Sequence, residues 1–153
     1  MKQGSTLFLK VVICLIGLAV ACFCVILLGV SMSGNGGIYL PILLGLVVTA
    51  VPFFYALYQG FLLLTYIDNN TAFSEKSVSA IWIIKYCAGS VSLIYALLMP
   101  FIIYVADKDD APGAPLIALV IMFAFLVTAV FAAVLEKLLK NAIDIKSEND
   151  LTV

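Results

Sequence analysis

The sequence contains no histidine and no arginine among its 153 residues. Histidine is the commonest general base and transition-metal ligand, and arginine is the preferred side chain for two-point binding of phosphate. Their absence argues against hydrolytic and phosphoryl-transfer catalysis. The sequence also lacks a phosphate-binding glycine loop, a zinc-protease helix and a dinucleotide fingerprint. We therefore predict a protein that is not an enzyme and that holds no cofactor and no metal ion.

Charged residues are scarce as well, at 11% of the chain, whereas 65% is hydrophobic and the mean hydropathy is +1.22. A water-soluble fold of this composition would have too few polar side chains to cover its surface. The apolar residues form four segments, 7–32, 38–67, 81–105 and 115–135, and a helix needs about 20 residues to cross the bilayer. Because the segments lack the alternation of barrel strands, we predict an all-α integral membrane protein, a bundle of four transmembrane helices.

The domain organisation predicted from these segments is a single membrane domain over residues 1–153. Its spans are expected at approximately 9–31, 39–66, 79–105 and 115–138, and residues 139–153 are expected to form a cytoplasmic helix end and tail. The first apolar segment is longer than the roughly 7–15 residues of a signal-peptide apolar region. We therefore expect an uncleaved first span.

The lysines are distributed asymmetrically about the four spans. Lys108 lies on one side, and the other seven of the eight fall on the opposite side: Lys2, Lys10, Lys76, Lys85, Lys137, Lys140 and Lys146. Positive charge is retained on the cytoplasmic side of a membrane. The sequence therefore predicts that both termini are cytoplasmic.

Polar residues at the helix ends predict that helices 2, 3 and 4 extend into the cytoplasm. Ser74 is a suitable N-cap before Glu75, and Phe73 is positioned to pack on Val78 as a hydrophobic staple, so helix 3 should begin outside the membrane. Lys85 follows about three turns later. Its ammonium group is predicted to extend back towards the lipid head groups.

The fourth helix is predicted to continue past the membrane surface as an amphipathic helix. Its apolar stripe consists of Leu135, Leu138, Leu139, Ala142 and Ile143. This stripe has to be covered by the protein's own helices 2 and 3 or by another protein, and packing within the fold is the more usual outcome. Glu136 and Lys140 are spaced for an i,i+4 ion pair. Residues 147–153 are polar and are predicted to form a loose tail.

Few polar side chains occur inside the predicted spans. The cysteines are interpreted as small packing residues: Cys14, Cys22, Cys24 and Cys87. Ion conduction usually requires ionisable groups deep in the bilayer, and none lies between the predicted helix ends. The remaining polar residues are interpreted as contacts between helices, with Gln59 and Tyr95 as candidates for lining a narrow cavity.

Two segments carry a resemblance to a known family. They are the loop Ile67-Asp68-Asn69-Asn70-Thr71-Ala72-Phe73-Ser74 and the ending from Leu138-Leu139-Lys140-Asn141-Ala142-Ile143 to Val153. The chain resembles, over nearly its whole length, a bacterial family known as domain of unknown function 2975. Members are small four-span proteins that are often encoded beside a short Cro/C1-type helix-turn-helix regulator. The resemblance implies a protein of the bacterial cytoplasmic membrane with a DNA-binding regulator as partner, and it supplies no catalytic residues.

Two functions from different classes remain as hypotheses. In the first, the protein binds no nucleic acid itself, and its cytoplasmic face binds the small regulator or relays a membrane signal to it. The candidate partner-binding residues are Asn69, Asn70, Phe73, Ser74, Lys76, Lys137, Lys140, Asn141, Asp144 and Lys146. In the second, the protein is a small transporter or a self-protection protein of the immunity type, with Gln59 and Tyr95 near the substrate path. Besides the lipid bilayer and the regulator, a second copy of the chain is a further candidate partner.

Overall fold

The structure, a computed structural model, describes residues 2–152 and consists of four long α-helices. They are α1 (Lys2–Met32), α2 (Leu40–Asp68), α3 (Glu75–Lys108) and α4 (Gly113–Leu151), and a short 3-10 helix (Gly37–Tyr39) precedes α2. No strand occurs among the described residues. Each of the four helices is long and apolar enough to cross a membrane. The predicted all-helical membrane fold with four candidate spans is confirmed. Met1, Val153 and the side chain of Lys2 lie outside the described part of the chain.

The connections between the helices are short turns with local sequence causes. At the end of α2 the amide of Thr71 donates to the carbonyl of Tyr66 at 2.8 Å and that of Asn70 to Ile67 at 3.1 Å, with Asn70 at φ 58°. This is a Schellman motif with asparagine at the left-handed position. Ser74 then caps the start of α3, and its hydroxyl accepts a bond from the amide of Ser77 at 3.4 Å. The predicted N-cap is confirmed.

The helices pack in chain order. Among residues 2–152, the three substantial helix interfaces are α1 with α2, α2 with α3, and α3 with α4. Helices α2 and α3 therefore each lie between two others, and α3 contributes most of the buried residues. A cluster of Leu98 and Ile102 on α3 with Ala118 on α4 forms a core near the end of the bundle that holds the α1–α2 turn. The first helix packs on one neighbour and leaves the rest of its apolar surface exposed.

One close approach brings α2 against α3 at this core. A Cβ atom placed on Gly45 would lie 2.5 Å from Cδ1 of Leu98 and 2.7 Å from Cδ2, closer than real contacts allow. Leu98 is itself buried. A hydrogen bond from the hydroxyl of Ser92 on α3 to the carbonyl of Met122 on α4, at 3.1 Å, joins the next interface. Small and polar residues thus set the spacing of the central helices.

The fourth helix is the longest element, with 39 residues. At 1.5 Å per residue it extends about 58 Å, nearly twice the thickness of the hydrocarbon layer. It continues through the polar ending to Leu151. The expectation of a loose tail from residue 147 was wrong for residues 147–151, because the amphipathic helix does not stop where its apolar stripe ends. Val153, the last residue of the predicted tail, lies outside the described residues.

Candidate functional site at the lysine-rich end

The starts of α1 and α3 and the ends of α2 and α4 meet at one end of the bundle, here called the lysine-rich end. The first contact there joins α1 to α2. Lys10 Nζ lies 2.6 Å from Oδ2 of Asp68, and the hydroxyl of Thr6 donates to the other carboxylate oxygen. Lys10 also lies over the ring of Phe61, 5.3 Å from its centre. This carboxylate therefore ties the end of α2 to the first turns of α1.

The second contact joins α3 to α4. Lys85 Nζ lies 2.7 Å from Oε2 of Glu136, and Lys140 Nζ lies 3.1 Å from Oε1 of the same carboxylate. Glu136 is only 6% exposed, so its charge depends on these two lysines for compensation. The predicted i,i+4 pair of Glu136 and Lys140 is confirmed. The interhelical partner of Lys85 was not predicted, since only an extension towards the head groups was expected for this side chain.

A groove of about 510 Å³ lies at the outermost part of the lysine-rich end. Its wall on the α2–α3 connection is Phe73, and its other wall is one face of α4: Ala142, Ile145, Lys146, Asn149 and Asp150. Phe73 is 58% exposed and Ile145 60% exposed, so the two large apolar side chains of the groove are open to the surroundings. Phe73 and Ile145 give the groove its large apolar surfaces, and Lys146 and Asp150 add charges of both signs on the α4 side.

The ten predicted partner-binding residues separate into three groups in the structure. Phe73 and Lys146 line the groove together. Asn70 and Ser74 have local structural roles at the helix ends, and Lys140 is engaged with Glu136. The remaining five are exposed, and none of them lines the groove: Asn69, Lys76, Lys137, Asn141 and Asp144. The predicted packing of Phe73 on Val78 stays a prediction.

Four residues that line the groove were not among the predicted partner-binding residues: Ala142, Ile145, Asn149 and Asp150. A signal for them exists in the sequence. With Lys146 they occupy positions i, i+3, i+4, i+7 and i+8 counted from Ala142, which is one face of a helix. The predicted apolar stripe contained Ala142 but not Ile145, and Asn149 and Asp150 fell in the tail predicted from residue 147. The predicted stripe lies partly elsewhere, and its Leu138 is 59% exposed.

A second concavity of about 190 Å³ lies deep within the bundle, between all four helices. Tyr95 of α3 lines it together with Val91, Phe53 of α2 and Phe125 of α4. Phe53 and Phe125 meet edge to face there, with ring centres 6.2 Å apart. Gln59 is buried, but it is not among the lining residues. Of the two candidates for a cavity side chain, Tyr95 lines this space and Gln59 does not.

The chemistry available at these sites is that of binding surfaces. In the described part of the chain, no three cysteine or carboxylate side chains come close enough to hold a metal ion. The four cysteines carry free thiols. The groove offers an exposed ring, an exposed branched apolar side chain and charges of both signs along one helix. Such a surface is suited to another polypeptide.

Comparison with known proteins identifies a family and a similar protein. The family described as "Protein of unknown function (DUF2975)" matches residues 3–153. The chain is also similar to the "Uncharacterized membrane protein YoaS" of Bacillus subtilis (strain 168), with 51% identity over an alignment of 160 positions that covers all of both chains. No solved structure matches.

Proposed function

The chain belongs to the DUF2975 family of membrane proteins of unknown function, and on this premise we propose that it is a non-enzymatic docking protein of the bacterial cytoplasmic membrane. In this proposal both termini and the lysine-rich end face the cytoplasm. The groove between Phe73 and the last turns of α4 binds a small helix-turn-helix regulator and holds it at the membrane. The protein itself does not contact DNA.

The observation that carries the proposal is the exposed, mixed apolar and charged groove at the lysine-rich end. Along α4 it runs from Ala142 to Asp150, a distance of about 12 Å at 1.5 Å per residue. This length suits two to three turns of an amphipathic helix, with its apolar residues on Phe73 and Ile145 and its charges near Lys146 and Asp150. Small helix-turn-helix proteins are built from short amphipathic helices.

The direct test is retention of a co-expressed Cro/C1-type regulator on the tagged protein in mild detergent. The variant Phe73→Ser/Ile145→Ser removes both exposed apolar side chains of the groove. If they anchor the partner, retention should fall about tenfold, the effect of losing roughly 1.4 kcal/mol of binding free energy. The matched control is Leu138→Ser, because Leu138 is equally exposed on α4 but lies outside the groove.

A charge reversal at the groove, Lys146→Glu, provides a second variant that leaves the apolar side chains in place. It should also weaken retention, whereas reversal of the exposed Lys137 outside the groove should not. The proposal is overturned if the regulator stays in the soluble fraction with the native chain. It is equally overturned if groove and control variants retain the regulator to the same extent.

A further inference from the structure

The cavity between the four helices lies at the depth where lipid chains end. Its α1 residues, Val20, Phe23 and Cys24, precede the end of that helix at Met32 by 8 to 12 residues, or about 12–18 Å. Tyr95 precedes the end of α3 by about 20 Å. Since half of the hydrocarbon layer is about 15 Å thick, the cavity is near the bilayer midplane.

The lining of this cavity is almost entirely apolar. Thr49 is one of its few polar residues, and its hydroxyl is already donated to the carbonyl of Leu46 at 2.6 Å. Apolar cavities of about 150 Å³ remain dry and accept apolar molecules instead of water. At about 190 Å³ this cavity is larger, and it is partly open. An apolar occupant is therefore favoured over water.

Access to the cavity is from the side, through the bilayer. The first helix packs on α2, and no substantial interface joins it to α3 or α4 among residues 2–152. Val20 and Phe23 of α1 thus line the same cavity as Phe125 of α4, although a gap separates the two helices. In a membrane the fluid that meets such a gap is the hydrocarbon of the lipids.

We propose that this cavity is a binding site for one acyl chain of a membrane phospholipid, whose end enters between α1 and α4 and reaches Tyr95. The site is separate from the groove at the lysine-rich end. Tyr95 is the informative residue, because it lines the cavity and is only partly exposed, whereas Val91 also lines the cavity but is only 2% exposed and offers an acyl chain almost no surface. Lipids that merely surround the protein contact the outward residues of the same helix, such as Leu93 and Leu97, which are more than 60% exposed.

The test uses the full chain in vesicles of phosphatidylglycerol and phosphatidylethanolamine that contain a phospholipid with a diazirine near the end of one acyl chain. After irradiation, peptide mass spectrometry locates the lipid adducts. A chain in the cavity gives adducts on Tyr95 in addition to those on Leu93 and Leu97. The variant Ala50→Phe fills the cavity from α2 and should abolish the Tyr95 adducts while leaving the other two.

The matched control is Val51→Phe, since Val51 is the next residue on α2 and is 72% exposed. It should leave all three adducts unchanged. If Ala50→Phe does not give a monodisperse protein, Cys24→Phe fills the same space from α1. Adducts confined to Leu93 and Leu97, adducts on Tyr95 that survive cavity filling, or protein–protein cross-links through α1 in place of lipid adducts would each overturn the proposal.

Discussion

Lys85 on α3 and Glu136 on α4 form an interhelical ion pair, with Nζ 2.7 Å from Oε2, although 51 residues separate them in the sequence. The carboxylate is buried and the lysine side chain is 24% exposed. The pair joins the two helices that share the most extensive interface. Replacing either residue alone leaves the charge of the other without compensation, at a position where little water can reach it.

Replacement of one member of this pair should therefore be costly. We expect Glu136→Leu to lower the free energy of unfolding by up to about 3 kcal/mol. This is the lower end of the cost of breaking a fully buried ion pair, because Lys85 keeps some contact with solvent. The double variant Lys85→Met/Glu136→Leu should regain most of this loss, since no charge is left unpaired. Thermal unfolding in mild detergent measures both.

The control for the ion pair is Lys140→Gln, which removes the other lysine from the same carboxylate. Its side chain is 55% exposed, so the expected cost is at most about 0.5 kcal/mol. If this exposed lysine proved as costly as Glu136→Leu, or if the double variant stayed as unstable as the single one, the assignment of Lys85 as the principal partner would be wrong.

Asp68 at the end of α2 provides a second prediction, about the attachment of α1. Asp68→Asn weakens the bond to Lys10 and removes a carboxylate that also accepts from Thr6. We expect faster amide hydrogen exchange in the first turns of α1 and unchanged exchange in α3 and α4, because α1 has a substantial interface with α2 alone among the described helices. Lys76→Gln, at an exposed position of α3, should leave α1 unaffected. Equal exchange in both variants would contradict the predicted tether.

Gly45 provides a packing prediction at the opposite end of the bundle. Gly45→Ala places a methyl group against Leu98 and should destabilise the fold by about 1–3 kcal/mol, the usual cost of overpacking. The same change at Gly89, which has no neighbour within 4 Å, should be neutral or stabilising because alanine is the better helix former.

The cost at Gly45 should also depend on its neighbour. In a Leu98→Ala background the clash is gone, so Gly45→Ala should no longer destabilise the protein relative to Leu98→Ala alone. Unfolding in detergent gives the four free energies of this cycle. A cost of Gly45→Ala that is the same in both backgrounds would mean that Leu98 does not determine the spacing of α2 and α3.

Membrane orientation is the fourth prediction. A phosphatase that works only after export should be inactive when fused after residue 152, and active when fused in the α3–α4 turn at Ala111. The reporter at Ala111 is the positive control for expression and export. Activity of the fusion at the C-terminal end would reverse the predicted orientation and would place the groove outside the cell.

The sequence predicted the elements of this fold better than their contacts. Helix 3 starts at Glu75 as expected because its capping residue, Ser74, is a local signal. The ending of α4 was predicted incorrectly for residues 147–151, because this mostly polar segment continues the helical spacing of Ala142, Ile145 and Asn149. At the candidate site, Phe73 and Lys146 were predicted and share the groove. Asn149 and Asp150 were missed because they lie in that polar ending, and Ile145 was missed because the predicted apolar stripe did not include it.

The sequence by itself determined that this chain forms four membrane helices, because apolar segments of this length must bond their backbone groups internally in lipid. The uneven distribution of lysines likewise predicts an orientation without reference to any contact. Only the tertiary structure decided that Lys85 meets Glu136, that Leu98 lies against Gly45, and that Phe73 and Ile145 line the same groove. These contacts depend on the rotation of each helix about its axis and on which helices are neighbours. Nearly uniform apolar surfaces leave both undetermined in the sequence, since lipid and protein solvate them almost equally well.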